Sequence, residues 1–153
     1  MTQKTKFFQF EADFVQSLRC IPMQVRLKLD TCGIKLKLPQ WNRFSFQERE
    51  NLADLPCETQ EEIRLYRELL QRLVLANTGE AATELSLDPH PAWEDVKTVA
   101  PSVQEKAQAL GIDITQNHWA SLTADERFAL IKLSLSNHEN HNFLPALKEF
   151  HLT

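Results

Sequence analysis

The sequence is poor in glycine, with three in 153 residues. All-β folds take glycine at their tight turns and phosphate-cradling loops take it at their backbone contacts, so both are disfavoured. Cysteine is scarce as well. The three present (Cys20, Cys32 and Cys57) are odd in number and widely spaced, which argues against a disulfide framework and for a reducing cytoplasm. No apolar run approaches the length of a membrane span. The polar start, Met1-Thr-Gln-Lys-Thr-Lys6, runs into Phe7-Phe8-Gln9-Phe10 without a secretory apolar segment. Zinc-protease, nucleophile-elbow, P-loop and dinucleotide fingerprints are all missing. No Ser/His/Asp triad can be proposed without assuming proximity, so an enzyme is disfavoured.

What is present is ordinary for a globular protein: 42% hydrophobic and 25% charged residues. The length suits one domain, 1–153, with a real core. Net charge is −4, unevenly spread. Residues 1–49 hold nine Lys/Arg against four Asp/Glu, and the remainder eight against seventeen. Overall acidity argues against nucleic acid. The basic first third is able to steer an anionic partner.

Shifted by 78 residues, the chain matches itself without a gap. Val25, Lys28, Gly33 and Ile34 fall on Val103, Lys106, Gly111 and Ile112. Trp41 falls on Trp119, Glu48-Arg49 on Glu126-Arg127, and Leu52 and Leu55 on Leu130 and Leu133. Nine of 31 pairs over 25–55 are identical, which points to duplication of one unit. The units run over about 20–76 and 98–153, with 79–91 as the connection.

The shared pattern reads as helices. Pro22 and Pro101 suit a first helical turn. Gly33 and Gly111 suit the left-handed position just past a helix end. Ile34-x-Leu36 and Ile112-x-Ile114 give short extended crossings. Trp41 and Trp119 are expected as core anchors on short turns. Ser45–Glu48 and Thr123–Glu126 are capping boxes opening helices near 46–55 and 124–136. Thr59–Glu62 is a third, opening a helix at 60–76 striped by Ile63, Tyr66, Leu69, Leu70, Leu73 and Val74. Further helices are expected near 10–19 (Phe10, Phe14, Val15, Leu18), around Trp93 and Val96, and near 142–150. The fold class is all-α, a compact domain of six to eight helices with an internal duplication.

One stretch conflicts with this. Residues 21–38 alternate apolar and polar, and alone would make a β-hairpin turning at Asp30-Thr-Cys-Gly33, an α+β alternative. The mate segment, Ser102–Gly111, is plainly helical, and Ile21, Val25, Leu29 and Cys32 also share a helical face. A helix over 22–32 is therefore expected.

Candidate chemistry is thin. Cys32 and Cys57 align with Leu110 and Leu135, so they read as small core residues rather than metal ligands. His138 and His141 are three apart at a helix end but have no matching pair in the first copy. The capping boxes already account for Glu48 and Glu126. The three tryptophans read as core anchors. No catalytic residue, metal ligand or cofactor is assigned. The unusual stretch is Arg19–Lys37, with five cations, one acid and many apolar residues. It suits docking of an acidic protein surface or an anionic cofactor. The partner-binding candidates are Arg19, Cys20, Arg26, Lys28, Lys35, Lys37 and Arg43.

In this stretch the sequence resembles a known family. Phe10-Glu-Ala-Asp-Phe14, Arg19-Cys-Ile-Pro-Met23, Val25-Arg26, Lys28-Leu-Asp30, Cys32-Gly-Ile-Lys-Leu36 and Trp41 are similar to the cyanobacterial nitrate reductase-associated proteins. The likeness is specific over about 7–75 and looser beyond. It implies a non-catalytic accessory or assembly factor needed for active ferredoxin-dependent nitrate reductase. The implied partner is the apo-enzyme or a cofactor-delivery protein. A carrier for molybdenum cofactor or an iron–sulfur cluster is the alternative. No catalytic residues carry over from it.

Overall fold

The computed structural model describes residues 7–12, 18–135 and 142–153. Two compact units divide the chain, Met1–Leu87 and Asp88–Thr153. Eight α-helices and one two-stranded ribbon are seen among the described residues, so the fold is all-α. Phe14 and Val15 of the expected 10–19 helix lie outside the described residues, as do His138 and His141.

The first unit contains a 3-10 turn at Gln9–Glu11, α1 (Met23–Cys32), β1 (Ile34–Lys35), α2 (Leu38–Asn42), α3 (Phe46–Asp54), α4 (Gln60–Thr78) and β2 (Thr83–Glu84). The hairpin alternative for 21–38 does not form: Met23–Cys32 is helix. Three local features decide it. Pro22 sits at the N-cap, one position before the first turn where it was expected. The buried Glu11 carboxylate accepts the Met23 N–H at 3.2 Å, placing an anion at the positive helix end. Gly33 closes the helix at φ 76° and returns its N–H to the Leu29 carbonyl. Val25, Leu29 and Cys32 then face the core, and Leu27 stays half-buried on the flank.

The extended residues after Gly33 pair elsewhere. β1 runs antiparallel to β2, with Ile34 opposite Glu84 and Lys35 opposite Thr83. Gly33 is needed here twice over. Besides its positive φ, a Cβ would lie 2.7 Å from the Leu85 carbonyl oxygen and 3.0 Å from Leu87 Cδ2. The Leu85 N–H donates to the Gly33 carbonyl at 2.7 Å. From α4, the Gln71 side-chain amide both donates to the Ala82 carbonyl and accepts its N–H, each at 2.9 Å. It acts as a one-residue strand that holds the return segment down.

α4 carries the core of this unit. Its capping box is formed, with the Glu62 N–H donating to Thr59 and the Thr59 N–H to Glu62. Tyr66, Leu70 and Val74 recur every four residues on its buried face. They meet Val25, Leu29 and Ile34, with Trp41 edge-on to Phe44 at 6.0 Å.

The second unit contains a 3-10 turn at Ala92–Glu94, α5 (Pro101–Ala109), α6 (Gln116–Ser121), α7 (Ala124–Leu135) and α8 (Phe143–Glu149). α7 is its centre, packing on the 3-10 turn, α5 and α8. Phe128 meets Trp93 edge-on at 5.0 Å. Gln104 clamps Ile114 as Gln71 clamps Ala82, donating at 2.7 Å and accepting at 3.2 Å.

Positions 78 apart show matching bonds. The Trp41 indole N–H donates to the Leu18 carbonyl and the Trp119 indole to the Asp95 carbonyl, both at 2.8 Å. Arg49 and Arg127 both donate to the carbonyl of their unit's tryptophan. The match fails at two cysteines. Cys32 and Cys57 are buried, whereas Leu110 and Leu135 are 48% and 67% exposed. α5 ends at Ala109, which puts Leu110 past its end. α7 runs on to Leu135, whereas α3 stops at Asp54 and the chain turns Cys57 inward.

Candidate functional site: the cations of residues 19–43

The seven candidates divide by what their side chains touch. The Lys28 ammonium donates to the Ala53 carbonyl at 2.6 Å and lies 5.8 Å from the centre of the Tyr66 ring. Ala53 is in the last turn of α3, where carbonyls lack helical partners, so Lys28 caps that end. The Tyr66 hydroxyl donates to the neighbouring Leu52 carbonyl at 2.8 Å. Arg26 Nε donates to the Ile21 carbonyl at 3.2 Å, before α1 begins. These two cations belong to the fold. Arg19, Lys35, Lys37 and Arg43 are exposed, and Cys20 is half-buried beside them in sequence.

The same use of cations recurs outside the candidate stretch. Arg49 donates to the carbonyls of Leu18, Trp41 and Asn42 at 3.2, 3.2 and 3.0 Å, closing the end of α2. Arg127, buried in the second unit, donates to Trp93 at 2.6 Å, to Trp119 at 3.4 Å and to Leu122. Burial pulls its proton affinity below the ordinary guanidinium range, opposed by Glu126 and Glu94. Each bond from a charged donor to a buried carbonyl contributes about 1.5–3 kcal/mol.

Cys32 and Cys57 flank the same turn of α1, with Cys32 Sγ 3.6 Å from the Leu29 oxygen and Cys57 Sγ 3.9 Å from the Lys28 oxygen. Burial pushes the Cys32 thiol up to about 11, and burial with Cys32 nearby pushes Cys57 up to about 12. Burial likewise holds the Tyr66 phenol well above its ordinary range. Metal binding and nucleophilic attack need a thiolate, and this environment suppresses it. Among the described residues, no group of three or more His, Cys, Asp and Glu is placed to hold a metal ion. No helix there is long and apolar enough to cross a membrane.

Two surface features were not read from the sequence. A shallow cleft of about 430 Å³ is lined by Arg67, Glu68, Gln71, Arg72 and Glu84. Its charges are largely internal, since Arg67 pairs with Glu84 at 2.5 Å. The second feature is a pair of leucines, Leu85 and Leu87, exposed by 43% and 54% on the return segment beside β1. Sequence showed them only as apolar residues in a connection.

What this geometry offers is a surface: exposed cations at Arg19, Lys35, Lys37 and Arg43 and exposed leucines at Leu85 and Leu87, around buried thiols held protonated. No match was found among curated proteins, and none among solved structures. The family model described as conserved nitrate reductase-associated protein matches residues 7–150. That is nearly the whole chain, well past the 7–75 region where the sequence likeness was specific, and so this chain belongs to the conserved nitrate reductase-associated protein family.

Proposed function

We propose that the chain is a non-catalytic assembly factor for ferredoxin-dependent nitrate reductase, acting in the cytoplasm during nitrate assimilation. The family match over residues 7–150 is the observation that carries this reading. The factor binds the apo-enzyme through the exposed cations Arg19, Lys35, Lys37 and Arg43. Its mechanism is a population shift: it prefers a reductase conformation open to cofactor entry and raises the share of apo-enzyme held there. A tenfold preference for the open form contributes about 1.4 kcal/mol toward it.

Capture of purified apo-reductase by the tagged protein tests the reading. Capture should succeed, weaken as salt is raised, and fall with charge reversal at Lys35 and Lys37. Binding that ignores salt and charge reversal would sink the electrostatic part. Failure to capture apo-reductase at all would sink the reading. Pterin or a cluster in anaerobically purified protein would replace it with a cofactor-carrier role.

A further inference from the structure

Resting on that reading, we infer that the partner is met by one face of the β1–β2 ribbon, where Lys35 and, two residues further on, Lys37 lie to one side of Leu85 and Leu87, and that this face takes an acidic segment bearing an apolar side chain.

Alternation defines the face. Ile34 is buried and Leu36 packs on the core, so Lys35 and Lys37 point the other way and are exposed. Lys35 is opposite Thr83, which places Leu85 at the diagonal position on the same face. Across from Leu85 stands Gly33, which has no side chain. Leu87 fills that space, its Cδ2 lying 3.0 Å from where a Gly33 Cβ would be. The ribbon's one acid, Glu84, alternates to the opposite face and is paired with Arg67 at 2.5 Å. This outward face therefore presents two cations and two half-exposed leucines.

Single exposed leucines are common and need no explanation. These two differ because the chain bearing Leu85 is held, with Leu85 N–H bonded to Gly33 and Ala82 clamped by Gln71, and because the Leu87 side chain lies over Gly33. A preformed surface loses little freedom on binding. Its lysines select against basic partners and steer acidic ones. Arg26 and Lys28 take no part, since their donors serve the fold.

The test is hydrogen exchange on the full chain with and without apo-nitrate reductase, beside capture by two double variants. Amides of 83–87 and 35–38 should gain protection. Lys35→Glu with Lys37→Glu, and separately Leu85→Ser with Leu87→Ser, should each weaken capture at least tenfold. The lysines are exposed, so the lysine variant should melt near wild type; the leucines are half-exposed, so theirs should melt only modestly lower. Should the leucine variant fail to fold, the lysine variant and the exchange footprint decide. Wild-type capture with protection only elsewhere, or with either folded double variant binding unchanged, overturns this inference and leaves the assembly-factor reading standing. Wild-type protein that captures nothing overturns both.

Discussion

Two lysines seven residues apart in the same basic stretch have opposite fates. Lys28 ends on the Ala53 carbonyl and Lys35 ends in solvent. Lys28→Met should cost about 1.5–3 kcal/mol in urea unfolding, the worth of a charged bond to a carbonyl. Lys35→Met should stay within about 0.5 kcal/mol, as exposed substitutions do. The thiols give a second expectation. At pH 8, an alkylating reagent should label half-buried Cys20 and reach Cys32 and Cys57 only after unfolding. Both buried thiols have ionisation raised from 9.0, to about 11 and about 12. The folded state thus favours the neutral form. That stability is whole below pH about 9 and is lost as pH climbs through the folded values. Melting temperature should fall across that window, and less steeply in a Cys57→Ala variant measured against its own value at pH 7. Sequence displayed seven similar candidates in 19–43. It could not separate Arg26 and Lys28 from the rest, because the carbonyls they meet are fixed by tertiary packing.

Elements were legible where their signals are local. The capping boxes at Ser45, Thr59 and Thr123 each lie within four residues, and each is formed. The helix at Met23–Cys32 was legible through its mate 78 residues on and the helical face shared by Ile21, Val25, Leu29 and Cys32, although its own alternation mimics a strand. The β1–β2 pairing was not legible, because Ile34 finds Glu84 fifty residues away. Neither were the Gln71 and Gln104 clamps, whose partners lie 11 and 10 residues on. The glycines ending α1 and α5 separate local from tertiary causes. Gly33 and Gly111 share a positive φ, at 76° and 77°. Only at Gly33 does a Cβ meet another chain segment; at Gly111 nothing lies within 4 Å. Gly111→Ala should cost about 1–2 kcal/mol for the left-handed backbone. Gly33→Ala should cost about 1–3 kcal/mol more, because the Leu85 backbone must move. Equilibrium unfolding of the two variants side by side checks this.

Across the whole chain, the boundary at Leu87–Asp88 falls inside the 79–91 segment that the sequence marked as a connection. We propose that the units arose by duplication, which the matching tryptophan and arginine bonds support. Charge has diverged between them: the first unit carries twelve basic and twelve acidic residues, the second five and nine. The cationic face accordingly lies in the first unit. The three bonds of Arg127 matter for how the second unit comes apart. Trp93, Trp119 and Leu122 lie 34, 8 and 5 residues from the guanidinium that ties them. If the turn around Trp93 loosens, a buried cation loses an acceptor, and the strain falls at once on the end of α6. Partial opening at that turn is therefore penalised beyond the loss of its own contacts. Arg127 reaches Trp93 through Nε and Trp119 and Leu122 through Nη1, and the compact ammonium of lysine lacks that rigid, spread fork. Arg127→Lys should let amides near Trp93 exchange by local fraying, at rates decoupled from those of α7. In the native chain those amides should exchange together, because one side chain ties three segments of the unit.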